Sequence, residues 1–216
     1  MPGTCPVGQE VEMEDNYREV KKAEPCLKLI HMDQVEVEEI EWLFYPFIPY
    51  GKVTIIQGDP GEGKTTVVLQ IIAKLTKGEP ILNEITEEET GVEPINVIYQ
   101  TAEDGLGDTI KPRLLAAGAD CSRVLVIDDQ DQPLAMVDAR LEEAIIQTKA
   151  RLVVLDPIQG FLGAGVDMHR ANEIRPLMKR ISVLAEKYQC AIILIGHMNK
   201  NSNGKSSDRG LGSIDF

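Results

Sequence analysis

The chain has 216 residues, of which 43% are apolar, and it carries a formal net charge of −13. This composition is typical of a globular domain, and no apolar stretch approaches the roughly 18 residues that span a membrane, so we expect no membrane segment. The first six residues lack a basic region followed by an apolar core, and the four cysteines show no C-x-x-C spacing. We therefore expect a cytoplasmic protein with reduced thiols and no metal-binding cysteines.

The negative charge is concentrated in two segments of the chain. Residues 1–50 carry 11 acidic and 4 basic side chains, and residues 79–93 carry 6 acidic side chains and no basic one. Because the remaining residues are formally neutral, the net charge does not exclude a DNA-facing surface on the folded part. We expect an acidic N-terminal arm over residues 1–41 and a folded core over residues 42–216.

Apolar strands alternate with helices along this core. We predict strands over residues 52–57, 95–101, 123–128, 151–156 and 190–195, and helices over residues 63–77, 108–117, 139–149 and 171–188. Continuous apolar strands that alternate with helices predict a parallel sheet covered on both faces, with ligands beyond the carboxyl ends of the strands. The aromatic segment 42–50 has two interpretations. It either lines a nucleotide or subunit contact or packs against the sheet edge.

A glycine-rich phosphate loop follows the first predicted strand and precedes the first predicted helix. Its residues match G-x-x-x-x-G-K-[ST]: Gly58, Asp59, Pro60, Gly61, Glu62, Gly63, Lys64 and Thr65. The glycines let successive backbone N–H groups point at one anion, and the helix N-terminus adds partial positive charge. We predict that these residues and Thr66 bind ATP, that Lys64 reaches the β- and γ-phosphates, and that the Thr65 hydroxyl holds Mg²⁺.

Polar side chains end three further strands, where they would converge on the bound phosphates. Asp156 ends the fourth strand and is predicted to anchor Mg²⁺ opposite Thr65, although an aspartate there can also cap the next turn. Glu103 follows the second strand and is a candidate to orient the attacking water. His197 follows the fifth strand, where contact with the γ-phosphate and a structural role are equally open. The polar loop 200–212 either follows a phosphate backbone by charge or is a plain surface loop.

Together these features resemble the RecA-like ATPase superfamily and, more narrowly, the ATPases related to the plasmid replicative helicase RepA. The resemblance is carried by residues 58–65, 99–104, 152–157, 197–200 and 209–213. It implies a three-layer α/β/α P-loop fold with a mostly parallel sheet, and a homo-oligomeric, hexameric ring with sites between subunits. It further implies that Glu103 is the catalytic glutamate, that His197 senses the γ-phosphate, and that Arg209 reaches a neighbour's site.

The family pattern continues beyond the point where this sequence stops, so we expect a C-terminally incomplete core. The resemblance implies Mg²⁺-dependent ATP hydrolysis coupled to single-stranded DNA in replication, recombination, repair or mobile-element maintenance. An alternative is a nucleotide-gated regulator that acts on a protein partner, which the acidic arm favours. A small-molecule phosphotransferase is a third interpretation, although no arginine-rich lid is evident.

Overall fold

The computed structural model describes residues 27, 29–81, 93–163, 165–166 and 170–197. The chain divides into two units, Met1–Glu38 and Glu39–Phe216. In the described part of the first unit, the backbone forms one 3₁₀ turn over Met32–Gln34, and its side chains are exposed. The predicted division of the chain into an arm and a core after residue 41 stays a prediction.

In its described residues, the second unit is built on a five-stranded parallel sheet. In chain order its strands are β3 (Val53–Gly58), β4 (Val97–Thr101), β5 (Val124–Leu125), β6 (Leu152–Asp156) and β7 (Ala191–His197). Their order across the sheet is β3-β7-β6-β4-β5, with parallel pairing between all neighbours. A separate antiparallel hairpin of β1 (Trp42–Phe44) and β2 (Ile48–Pro49) precedes it.

Within the described residues, four α-helices cover the two faces of this sheet. They are α1 (Lys64–Lys77), α2 (Lys111–Ala116), α3 (Ala139–Thr148) and α4 (Ala171–Tyr188). Alternate residues of each strand enter opposite cores, as the period of a β-strand requires. Val153 and Leu155 pack on the side of α3 and α4, whereas Val154 and Ile193 pack on the side of α1, α2 and the hairpin. The predicted three-layer α/β/α fold with a parallel sheet is confirmed.

The third predicted strand is shorter than expected. We predicted a strand over residues 123–128, but β5 ends at Leu125. The buried Gln100 side chain explains this difference, because it donates to the Ile127 carbonyl and accepts from the Ile127 N–H, both at 3.0 Å. A side chain of β4 therefore takes the place of the backbone ladder beyond β5.

Two helix boundaries have identifiable local causes. The helix predicted over residues 108–117 is instead a π-helical turn, Leu106–Ile110, followed by α2, with Pro112 in the first turn of α2 as expected. Helix α3 is capped by Asp138, whose carboxylate accepts the Arg140 N–H at 2.9 Å.

Among the described residues, no helix is both long and apolar enough to cross a membrane.

The aromatic segment 42–50 forms the hairpin β1–β2 and contributes to the core. Leu43, Ile48 and Tyr50 are buried in the same cluster as α1. The Arg151 guanidinium lies 3.9 Å from the centre of the Tyr50 ring. Phe47 remains 60% exposed. The segment therefore packs against the sheet layer, as one of its two interpretations proposed.

Candidate functional site

The phosphate loop joins β3 to α1 and adopts the left-handed conformation at two glycines. Gly61 has φ 86° and Gly63 has φ 83°. A Cβ added at either position would meet no atom within 4 Å. These positions therefore favour glycine because of backbone conformation and not because of crowding. Helix α1 begins at Lys64, directly after Gly63, so its N-terminal N–H groups lie beside the loop.

Two side chains of the loop hydrogen-bond back to its own backbone. The Lys64 ammonium donates to the Gly58 carbonyl at 3.0 Å and to the Asp59 carbonyl at 2.8 Å. The Glu62 carboxylate accepts the Asp59 N–H at 2.8 Å. The loop thus carries a half-buried cation and an exposed carboxylate. Thr66, the next residue after Thr65, is exposed on the first turn of α1.

Asp156 lies at the centre of the site and accepts two hydroxyl hydrogen bonds on one oxygen. Its Oδ2 accepts from Thr65 Oγ1 at 2.7 Å and from Tyr99 Oη at 2.9 Å. Asp156 is only 5% exposed. Burial first, and then the negative charge and hydrogen bond of Asp156, raise the pKa of Tyr99 well above its usual value. The Tyr99 hydroxyl therefore keeps its proton and remains a donor.

The Thr65–Asp156 pair has the donor chemistry that suits Mg²⁺. A hydroxyl oxygen and a carboxylate are hard oxygen ligands, and Mg²⁺ is often held by one or two carboxylates together with nucleotide phosphates. Because the Thr65 hydroxyl donates a hydrogen bond to Asp156, the lone pairs of the Thr65 oxygen stay available to a cation. These residues therefore fit the predicted ion, and Thr65 and Asp156 are the residues that would hold it.

His197 and Glu103 approach each other beside the loop. His197 Nε2 lies 3.5 Å from Glu103 Oε2, and the Glu103 side chain is 62% exposed. His197 is level with Gly58 in the β3–β7 register, and Thr101 is level with Asp156 in the β4–β6 register. The sheet thus brings Lys64, Thr65, Asp156, Glu103 and His197 to one edge.

Two neighbouring polar atoms are buried without a hydrogen-bond partner among the described residues. They are Gln159 Oε1 and His197 Nδ1. The Gln159 amide donates to the His197 carbonyl at 3.2 Å, which joins the turn after β6 to the end of β7. Since a buried polar atom normally finds a partner, this pair has hydrogen-bonding capacity to offer a ligand or water.

The other predicted residues have different placements. Asp104, the acid beside Glu103, pairs with Arg113 at 3.4 Å, and its N–H donates to Thr101 Oγ1 at 3.1 Å. Both side chains of this ion pair are substantially exposed, so the pair lies at the surface. Arg209 and the loop 200–212 lie outside the described residues.

Sequence reasoning missed Tyr99 and Gln159. A signal for Tyr99 was present, because a tyrosine inside a strand predicted to be buried needs a partner for its hydroxyl. The identity of that partner was not readable, since Asp156 is 57 residues away in the chain. Gln159 carries no comparable signal, because polar residues are ordinary in a turn that follows a strand.

Comparison with known proteins gives a family match and distant relatives. Residues 20–203 match the family described as AAA domain. The DNA repair protein RadA of Mycobacterium tuberculosis is 24% identical over 168 residues, which cover 76% of this chain and 31% of that protein. The DNA repair protein RadA of Streptococcus pneumoniae is 24% identical over 186 residues, which cover 86% of this chain and 39% of that protein. The chain thus spans about a third of the length of these curated relatives.

Proposed function

This chain belongs to the AAA domain family and has the RecA-like P-loop ATPase fold, and from that premise we propose that it hydrolyses ATP with Mg²⁺ in a DNA-linked process. The 2.7 Å hydrogen bond between Thr65 and Asp156 supports this proposal most directly. It joins the end of the phosphate loop to the carboxylate that ends β6, which is the pairing that a nucleotide-bound magnesium ion requires.

The binding half of the reaction belongs to the loop and α1. Lys64 exchanges its two carbonyl acceptors for β- and γ-phosphate oxygens, whose negative charge attracts the ammonium more strongly than a neutral carbonyl does. The loop N–H groups and the start of α1 hold the remaining phosphate charge. Thr65 and Asp156 would hold Mg²⁺, which would supply positive charge to offset the negative charge of the bound phosphates.

The hydrolytic half belongs to the neighbouring strand ends. Glu103 accepts the proton of a water in line with the γ-phosphate, and its exposure leaves it free to move toward that water. His197 lies within 3.5 Å of the same carboxylate, so it can hold Glu103 in one orientation before phosphate binds. The contact between His197 and Glu103 then changes when the γ-phosphate is lost, so His197 acts as a sensor of the nucleotide state.

The proposed link to DNA rests on the names of the similar proteins, and the proposed ring rests on the resemblance to the RecA-like ATPases. The similar proteins are named DNA repair proteins, and we propose that single-stranded DNA stimulates this ATPase in replication, recombination, repair or mobile-element maintenance. We further propose a homo-oligomeric, hexameric ring in which Arg209 of one copy contributes to the site of the next. Each of these statements is open to direct measurement.

The first test is phosphate release from Mg-ATP with and without single-stranded DNA. Lys64→Ala and Glu103→Gln are the test variants, and each has a matched control nearby. Lys77→Ala removes a lysine from the last turn of the same helix, and Asp104→Asn alters the acid beside Glu103. We expect Glu103→Gln to lower the hydrolysis rate by roughly 10²–10⁴-fold while nucleotide binding persists. Lys64→Ala should abolish both nucleotide binding and hydrolysis.

The outcomes separate the parts of the proposal. Turnover that DNA raises, and that both test variants lose, supports a DNA-linked ATPase with Glu103 as base. ATP hydrolysis that is unaffected by DNA contradicts the proposed link to DNA but remains consistent with the proposed ATPase activity. If the Lys64→Ala variant hydrolyses ATP as fast as Lys77→Ala, the phosphate loop is not the nucleotide site and the whole proposal fails.

A second candidate function is suggested by the described part of the first unit. Leu29, Ile30, Met32 and Val37 are each more than 70% exposed, and acidic residues are interspersed with them. Exposed apolar side chains at this density favour contact with another protein. A regulator would capture a partner differently with ATP and with ADP. Identical capture with the two nucleotides would exclude this function.

A further inference from the structure

Tyr99 is a fully buried side chain whose hydroxyl reaches the magnesium carboxylate. Its exposed fraction is 0%, and its ring packs in the cluster that joins the sheet to α1 and α2. Its hydroxyl donates to Asp156 Oδ2 at 2.9 Å from the adjacent strand β4. An aliphatic or phenylalanine side chain would fill this apolar space, so packing alone does not account for the hydroxyl.

The two donors to Asp156 come from different elements. Thr65 approaches from the first turn of α1, and Tyr99 approaches from the neighbouring strand, yet both hydrogen bonds end on the same oxygen. A carboxylate held by one donor can rotate about its terminal torsion, which has a broad energy profile. Two donors from separate, rigid elements fix the position of Oδ2 and thereby the plane of the carboxylate.

We propose that Tyr99 is a positioning residue for the magnesium site, which acts by holding Asp156 in the orientation that the ion requires. The inference rests on the proposed nucleotide function. Mutation of a group that orients a metal ligand through a hydrogen bond typically lowers metal affinity or activity by about 10–100-fold. Tyr99 touches neither phosphate nor water in this role, and its effect passes through Asp156.

The test measures the magnesium dependence of nucleotide binding and needs no turnover. A fluorescent N-methylanthraniloyl ATP is titrated into the full chain at a series of free Mg²⁺ concentrations and in EDTA. For Tyr99→Phe we expect the Mg²⁺ concentration at half-maximal enhancement to rise roughly 10-fold or more. Affinity in EDTA should match that of the unmodified protein, because the phosphate loop is unchanged.

A matched control is available in the same apolar layer. Tyr50 is also buried, but its ring lies against Arg151 and away from Asp156. Tyr50→Phe should leave the magnesium dependence unchanged. Thermal unfolding of both variants identifies any general loss of structure. Loss of EDTA affinity in Tyr99→Phe, equal to its loss with Mg²⁺, would show a structural effect and would overturn the inference.

A double-mutant cycle shows whether Tyr99 acts through Asp156. In an Asp156→Asn background, Tyr99→Phe should have no further effect on the magnesium dependence, because the ligand it positions is already altered. Full additivity of the two changes would contradict the inference. An unmodified protein that binds no nucleotide would overturn the proposed function and this inference together, whereas unchanged magnesium dependence in Tyr99→Phe would overturn this inference alone.

Discussion

Replacement of Asp156 by alanine or asparagine separates the contribution of this side chain to folding from its proposed role toward nucleotide. Alanine removes the acceptor of the Thr65 and Tyr99 hydroxyls. Asparagine keeps one oxygen, and one oxygen is sufficient because both hydrogen bonds end on Oδ2. We therefore expect two variants that are equally inactive in hydrolysis but differ in stability.

The size of the difference follows from the burial of the two donors. The Tyr99 hydroxyl has no access to solvent, and an unsatisfied buried donor costs about 1–3 kcal/mol. Thr65 is half-buried, so water partly replaces its lost acceptor and the cost is smaller. We expect Asp156→Ala to lose about 2–3 kcal/mol, which lowers the melting temperature by about 4–12 °C in a chain of this size. In Asp156→Asn, weaker hydrogen bonds are offset by relief of charge burial, so its change stays within about 1 kcal/mol.

Thermal and urea unfolding followed by circular dichroism measure these changes, and phosphate release measures activity on the same samples. Equal destabilisation by alanine and asparagine would contradict this prediction, since the retained oxygen would then have no stabilising effect. Lower stability of Asp156→Asn than of Asp156→Ala would contradict it as well. In either case the Thr65 and Tyr99 hydroxyls do not depend on Asp156 as the geometry indicates.

Three further predictions concern the rest of the core. Burial raises the pKa of the Cys190 thiol to about 11, so mass spectrometry should find that half-exposed Cys121 is alkylated before Cys190. Stability should fall as pH rises from the usual thiol value toward about 11, because the unfolded thiol ionises earlier. The Tyr188 hydrogen bond is the main cause that lowers the pKa of Glu142. The ionised Glu142 side chain therefore stabilises the folded protein at neutral pH, and this stabilisation is lost as pH falls through the lowered pKa. The melting temperatures of Glu142→Gln and of the unmodified protein should consequently converge in acid. Leu155→Ala should lose about 2–5 kcal/mol in urea unfolding, and a loss below about 1 kcal/mol would contradict its core position.

The parts of the fold that were readable from sequence are those specified locally. The phosphate loop is recognisable because its glycines and Lys64 lie at fixed spacing between an apolar strand and a helix. Helix α4 occupies the predicted residues 171–188, since its apolar residues repeat with the helical period and positive-φ Gln189 ends it. The position of Asp156 at the carboxyl end of β6 was predictable as well, because four apolar residues precede this carboxylate in the sequence.

The parts that were not readable depend on contacts between distant residues. The early end of β5 is caused by the Gln100 side chain, which lies 27 residues before its partner Ile127. The hydroxyl of Tyr99 similarly acquires its role only when β4 and β6 become neighbours. Apolar pattern and local propensity describe which segments form strands, but they do not specify which side chain of one strand meets the end of another.

The sheet order has a consequence for hydrogen exchange. Strands β6 and β7 are flanked on both sides by other strands, so their amides are exposed to solvent only when the whole unit opens. The loop between β3 and α1 is joined to this centre by the Thr65–Asp156 hydrogen bond, but its own residues 60–62 are largely exposed. Bound nucleotide should therefore slow exchange in the loop by many-fold and change the rates in β6 and β7 only through global stability. Among the described residues, the slowly exchanging amides of β6 and β7 should therefore lie close to the rapidly exchanging amides of residues 60–62.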